Sequence, residues 1–143
     1  MVLSHHATLS ACAAAALGFA TGSALDAAAF WTAATLVDCD HIVDYWRDAG
    51  FNLDAPRFFS WFRLREPRYL LLALHAWEWP TALLALAWGA GAPDWVWAFG
   101  IGWLYHLSLD QRHNPHQASR CYFFAFRWSR GFRARDFYSD QGA

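Results

Sequence analysis

Histidines and carboxylates recur in the apolar stretches of this sequence at spacings that suit a metal site. The block 38–41, Asp-Cys-Asp-His, directly follows an apolar run. His75 and Glu78 lie three positions apart within a second run, and the end of a third run carries a similar pair. That pair is His106 and Asp110, four positions apart. Residues three or four apart share a helix face, so each segment can direct an imidazole and a carboxylate at one point. We therefore predict a metal site between helices.

Imidazole with carboxylate is the ligand set of catalytic zinc, manganese and iron. The runs that carry Glu78 and Asp110 contain no Lys or Arg, so a divalent cation is the predicted counter-charge. Zinc is the first choice, with manganese or iron as alternatives, and the set suits one ion or a pair about 3.5–4 Å apart. Glu78 is predicted either to bind the metal or to act as general base or orienting partner. The predicted ligands are Asp38, Asp40, His41, His75, Glu78, His106, Asp110 and His6.

Composition favours a membrane protein of one domain. The 143 residues are 57% hydrophobic and only 16% charged, where an average soluble domain has about 25% charged residues. We predict an all-α integral membrane bundle of four helices. Its segments are placed at about 7–25, 27–48, 69–90 and 95–111. The three cysteines are isolated, so the sequence supports neither a disulfide framework nor a zinc ribbon.

The distribution of arginine predicts the topology of such a bundle. All eleven basic residues are Arg; five fall between 47 and 68, and six fall from 112 onward. Because cytoplasmic loops carry the Lys and Arg excess, both termini are predicted to be cytoplasmic, in a multi-pass protein of the inner membrane. The same threading brings the ends of the segments that carry the candidate ligands to the cytoplasmic side.

Two aromatic stretches suggest partners. The loop 50–67 interleaves Phe and Trp with Arg, a mixture that could bind nucleic acid, although an interfacial segment against membrane lipids is favoured. The Arg-rich tail contains a second aromatic patch, Tyr122–Trp128, predicted to form a short surface helix. We therefore predict lipid contacts and no nucleic acid, and leave oligomerisation open.

The chain resembles the LexA-regulated inner-membrane metal-dependent hydrolase family, which is distantly similar to zinc-dependent phospholipase C. The block 38–41 resembles the family's Asp-x-Asp-His motif, and Gly102 to Asp110 resembles its Gly-x-x-x-His-x-x-x-Asp motif. His5 or His6 resembles the family's N-terminal histidine. Two features differ: Val37 replaces a usual proline, and the family's His-Arg-x-x-Thr-His-Ser segment is absent, with residues 74–78 in roughly its place. The resemblance implies a small membrane protein with metal ligands at these positions and hydrolytic activity.

These observations predict metal-assisted hydrolysis of a phosphate ester or a lipid-borne group. Two alternatives remain open at this point. One is a diiron membrane oxidase, which usually needs more histidines than the central three. The other is a non-enzymatic membrane subunit whose polar residues pair with one another and whose aromatic segments bind a partner protein.

Overall fold

The structure, a computed structural model, describes residues 3–63, 68–114 and 119–136, and these are mainly helical. Within those ranges the only strand-like pairing is one antiparallel bridge between Tyr69 and Arg133. Two short 3-10 turns, Ser119–Tyr122 and Ala134–Asp136, flank the last helix. The helices are α1 (Leu3–Thr21), α2 (Ala24–Leu36), α3 (Cys39–Ala49), α4 (Ala55–Arg63), α5 (Glu78–Ala90), α6 (Asp94–His113) and α7 (Phe124–Ser129).

The four apolar helices α1, α2, α5 and α6 form a bundle in which α2 and α6 make the most extensive contact. Small residues allow the close packing: Ala14, Ala34 and Ala98 surround the ring of Phe30 in one buried cluster. Gly91, in the left-handed conformation with φ of 60°, ends α5 and starts the tight turn into α6.

The second part of the core packs around the short helices and the C-terminal turns. Tyr45 of α3 and Trp61 of α4 meet Leu70, Leu72 and Cys121 there, all of them buried. Val37, Leu107 and Tyr122 make a third cluster, which links this part to α6. Residues before α5 and after α6 are thereby fixed beside the end of the helical bundle that carries the candidate ligands.

The prediction of an integral membrane bundle is wrong. No helix among the described residues combines the length and the apolarity that a bilayer crossing requires. The helices α2 and α5 have 13 residues each, about 20 Å at helical pitch, where a bilayer core is about 30 Å thick. The predicted location in the inner membrane, with several membrane crossings and both termini in the cytoplasm, depended on that bundle. It is therefore wrong as well.

Two of the predicted segments are not continuous helices. The predicted segment 27–48 is divided between α2 and α3, with the break at Val37 and Asp38. The predicted segment 69–90 is helical only from Glu78. Pro80 is the third residue of α5, where a backbone N–H has no intrahelical partner, so it belongs to the helix start and does not kink a longer helix.

Gly102 permits the closest approach between α2 and α6. A Cβ atom at this position would lie 2.3 Å from the carbonyl oxygen of Phe30 and 2.9 Å from its Cα. Gly102→Ala should therefore destabilise the fold by about 2–3 kcal/mol, at the upper end of overpacking costs, because backbone atoms cannot move aside. Chemical denaturation monitored by circular dichroism measures this loss.

Gly89→Ala is the matched control. Nothing lies within 4 Å of a Cβ built at Gly89 on α5, so alanine there should stabilise the protein by about 0.5–1 kcal/mol through its helix propensity. Equal stability changes for the two variants would contradict the close packing of α2 on α6.

Candidate metal centre

Three separate parts of the chain bring a set of imidazoles and carboxylates together. Asp38 lies at the junction of α2 and α3, and His75 lies in the non-helical segment before α5. His106 and Asp110 are one turn apart on α6. His75, His106 and Asp110 are buried, and the side chain of Asp38 is 28% exposed. A buried cluster of Asp and His that could hold a metal ion is therefore present.

Five of the six distances between the four facing atoms match the edges of a tetrahedron. His75 Nε2 lies 3.3 Å from His106 Nε2, 3.5 Å from Asp38 Oδ1 and 3.2 Å from Asp110 Oδ2. His106 Nε2 lies 3.4 Å from Asp38 Oδ1 and 3.5 Å from Asp110 Oδ2. A tetrahedral zinc ion with ligand bonds of about 2.0–2.2 Å has ligands about 3.3–3.6 Å apart. The five separations therefore fit a single tetrahedral ion.

Each imidazole is oriented by a hydrogen bond on its other nitrogen. His106 Nδ1 lies 2.8 Å from the carbonyl oxygen of Ala34, which fixes Nδ1–H as the donor. His75 Nδ1 lies 3.0 Å from the Asp40 carboxylate. Metal-binding histidines almost always donate the second N–H to a carbonyl or carboxylate in this way. Both Nε2 atoms are consequently directed at the shared point.

Proximity of opposite charges changes the acidity of these groups. Burial raises the pKa of Asp38 and of Asp110, but hydrogen bonds from His106 and neighbouring histidines outweigh burial and leave both pKa values well below the ordinary range. Burial lowers the pKa of His106, yet the hydrogen bonds of Asp110 and Asp38 raise it to about 9. The pKa of His75 is raised for the same reason, against burial. The carboxylates thus favour the protonated form of both imidazoles.

The other predicted ligands from α1 and α3 lie around this set. Asp40 bonds to the Nδ1 side of His75 and accepts a 2.8 Å bond from the backbone N–H of Leu74. His41 Nε2 lies 3.6 Å from Asp38 Oδ1. Asp40, His41 and His75 make a second group close enough to share an ion. Asp40 and His41 could therefore either bind a second ion or orient the residues that bind the first.

His6 reaches the centre from α1. Its buried ring lies 4.2 Å, centre to centre, from the ring of His106, and its Nε2 lies 3.5 Å from Asp110 Oδ1. His6 therefore contacts the carboxylate oxygen opposite the one that joins the tetrahedral set. The side chain of His5 lies outside the described side chains.

Glu78 is placed elsewhere. Its Oε1 accepts a 3.1 Å hydrogen bond from the backbone N–H of Ala125 in the first turn of α7. Burial raises the pKa of Glu78, but hydrogen bonds from the N–H groups of Ala125 and Phe124 dominate and lower it. In the described part of the chain Glu78 thus caps α7 and does not join the groups that could share an ion. The prediction placed His75 and Glu78 on one face of the same helix. That helix, α5, begins only at Glu78, so His75 is not part of it.

A small cavity opens beside the tetrahedral set. Its volume of about 30 Å³ equals the share of one water molecule in the liquid. Its lining residues are His41, Leu72, His75, Asp110, Asn114, Cys121 and Tyr122. Burial, and then the charge of Asp110, raise the pKa of the Tyr122 phenol, so it stays protonated as a donor. Asn114 and Tyr122 were not predicted, because their positions in a polar tail carry no periodic signal.

Two charged side chains, Asp44 and Arg127, hold the segment that carries His75. Neither was predicted from the sequence. The carboxylate of Asp44 accepts hydrogen bonds from the backbone N–H groups of Leu71, at 3.1 Å, and Leu72, at 2.9 Å. Buried Arg127 of α7 donates to the carbonyl oxygens of the same two residues, at 2.9 and 2.6 Å. This clamp stabilises the unusual backbone of Leu72, whose φ is 43°. Spacing alone gave no signal for either residue.

Replacing Asp40 tests the orienting role of its carboxylate. Asp40→Asn keeps the shape of the side chain but removes the charge that holds His75 Nδ1–H, so zinc affinity should fall by about 10–100-fold. Competition with a chromophoric chelator measures the affinity. Asp54→Asn, a change of the same kind in the exposed turn before α4, should leave it unaltered. Unchanged affinity in Asp40→Asn would contradict the orienting role.

Comparisons with known proteins identify no relative of this chain. No protein-family model, curated protein or solved structure matches the chain. The resemblance to the LexA-regulated hydrolase family therefore remains a prediction from the residues that carry it. Residues of its motifs, Asp38, His106 and Asp110, all belong to the tetrahedral set.

Proposed function

We propose that the protein is a zinc-dependent hydrolase whose ion is held by Asp38, His75, His106 and Asp110. The single observation that carries the proposal is the tetrahedral spacing of their four facing atoms, 3.2–3.5 Å along five edges. Donor chemistry supports zinc, for which two imidazoles with carboxylates are a common catalytic set. Manganese and iron accept the same donors but favour higher coordination, with closer ligands.

The cavity supports a catalytic role over a purely structural one. A catalytic zinc site keeps a position for water or substrate, and the cavity beside His75 and Asp110 has room for one water molecule. The ion would supply Lewis acidity that makes such a water a nucleophile at neutral pH. Asp38, whose side chain is 28% exposed, is the most exposed of the four proposed ligands.

Three residues around the cavity take part in the proposed reaction: His41, Tyr122 and Asn114. Burial, and then the charge of His75, lower the pKa of His41 to about 4. Its imidazole is therefore neutral at pH 7 and accepts the proton of the water at Nε2. The phenol of Tyr122, oriented by its 3.5 Å contact with Asn114 Nδ2, donates a hydrogen bond to the oxygen that gains charge.

Hydrolysis of chromogenic phosphodiesters, phosphomonoesters and carboxyl esters by zinc-loaded protein tests the proposal. We expect turnover that EDTA abolishes and zinc restores. His41→Gln should retain zinc but lower kcat by about 10²–10⁴-fold, as loss of a general base does. His113→Ala, at an exposed histidine near the end of α6, should have wild-type activity. Absence of zinc-dependent turnover on every substrate class would contradict the hydrolase proposal.

A structural metal site is a second candidate, favoured by one observation. Four protein ligands at tetrahedral spacing can complete the coordination of zinc, as in structural sites. The protein would then be a non-enzymatic binding module. Stoichiometric zinc without turnover, together with zinc-dependent stability, would support this reading over the hydrolase.

Zinc binding should release protons and strengthen as pH rises. Because the pKa of His106 in the metal-free protein is about 9 and that of His75 is also raised, zinc must displace protons from both rings below that pH. Each displaced proton makes the affinity rise by up to about tenfold per pH unit. Affinity should therefore climb from pH 6 to at least about 9. Calorimetry in buffers of different ionisation enthalpy counts the protons, and a flat pH profile would contradict this charge state.

A further inference from the structure

A second, larger concavity lies where residues 68–69 meet residues 133–135. It is an open cleft of about 500 Å³, lined by Arg68, Tyr69, Arg133 and Arg135. The cleft is shallow and largely open to solvent. It shares no lining residue with the cavity beside His75. The cleft is therefore independent of the proposed hydrolytic function.

Backbone pairing fixes the two chain segments that carry the arginines. Tyr69 and Arg133 form the antiparallel bridge, and the N–H of Ala134 donates to the carbonyl oxygen of Arg68 at 3.0 Å. The N–H of Leu70 donates to Phe132 at 2.9 Å. Leu70 and Ala134 are both buried in the core. The guanidinium groups thus extend from a rigid base into solvent.

The positive charge of this cleft has no partner within the described residues. The three arginines form no ion pair there, whereas neighbouring Arg47 pairs with Asp44 at 3.3 Å and Asp48 at 3.9 Å. The nearby carboxylate of Asp48 also accepts a 3.3 Å bond from the backbone N–H of Arg68. Three uncompensated guanidinium groups meet in a chain whose net charge is −1.

We propose that this cleft binds the phosphate group of a phosphomonoester. Guanidinium groups bind phosphate oxygens through paired N–H donors, and several arginines around one cleft suit a dianion better than a monoanion. Tyr69, which also lines the cleft, carries a hydroxyl that can donate a hydrogen bond. The phosphate belongs either to a free small molecule or to a lipid headgroup.

Calorimetric titration with inorganic phosphate tests the cleft, using protein with and without zinc. We expect one saturable site in the zinc-free protein, and that site should keep its affinity when zinc is bound, whatever further phosphate binding the metal centre adds. The double variant Arg133→Gln, Arg135→Gln should weaken phosphate binding by about tenfold or more. The double variant Arg112→Gln, Arg130→Gln removes the same charge at exposed positions elsewhere and should change it by less than about twofold.

Vesicles distinguish the two sources of the phosphate. Sedimentation with phosphatidylcholine vesicles, with or without phosphatidic acid, shows whether a headgroup is bound. Binding of phosphatidic acid vesicles that the Arg133, Arg135 double variant loses would support a lipid-borne phosphate. Binding of inorganic phosphate without vesicle binding would support a free ligand. Equal phosphate affinity in wild type and both double variants, or no binding of either probe, would overturn the proposal.

Discussion

Zinc is expected to be lost from the protein when His106 is replaced by alanine. His106 contributes Nε2 to the tetrahedral set and is fully buried, with its Nδ1 hydrogen-bonded to Ala34. Losing an orienting partner costs about 10–100-fold in metal affinity, and losing a ligand should cost more than about 100-fold. Purified His106→Ala should therefore carry a small fraction of the zinc found in wild type, measured by elemental analysis.

His113→Ala is the matched control for this experiment. His113 lies on the same helix, two turns further on, and is exposed, with its Nδ1 bonded to the carbonyl oxygen of Leu109. The same substitution there should leave one zinc per chain. Because a cavity at position 106 could also impair folding, circular dichroism must show native helicity in His106→Ala. A folded variant that keeps a full complement of zinc would overturn the assignment of the metal centre.

Removal of zinc should lower the melting temperature by about 10 °C or more. An ion that binds only the folded state at 1,000 times its dissociation constant stabilises that state by about 4 kcal/mol. For a chain of this length, 1 kcal/mol corresponds to about 3 °C. Differential scanning calorimetry before and after EDTA dialysis measures the change, and added zinc should reverse it.

The His106→Ala variant also provides the control for this thermal effect. If the ion stabilises the fold through this centre, EDTA should hardly change the melting temperature of that variant. A similar EDTA effect in both proteins would place the stabilising ion elsewhere, and no effect in wild type would contradict a metal that is integral to the fold.

Helical spacing in the sequence correctly paired only those residues of the centre that lie on one continuous helix, α6. His106 and Asp110 are four apart on α6 and do face one point. Asp38 was predicted from its position after an apolar run, although it lies at a helix junction. His75 was also predicted, but as a helical residue paired with Glu78. The segment that carries His75 is instead held by hydrogen bonds with Asp44 and Arg127. Contacts between residues so far apart in the sequence produce no periodic pattern from which they could be predicted.

The error about the membrane has a different physical origin. Apolar composition was taken as evidence of long spans, but helix length is decided by local breaks. The junction at Asp38 and the start of α5 at Glu78 divide two apparent spans into shorter helices. Composition measures how much apolar surface exists, whereas a bilayer crossing depends on how much of it is continuous.

The register between α2 and α6 couples helix packing to the chemistry of the centre. The backbone of Phe30 occupies the space that Gly102 leaves, and one turn further along both helices Ala34 holds His106. Adding a single methyl group at position 102 would therefore push the imidazole away from its carbonyl anchor. The lack of a methyl group at position 102 therefore sets the distance between the His106 ring and the carbonyl that supports it, although Gly102 is not one of the residues that could hold an ion.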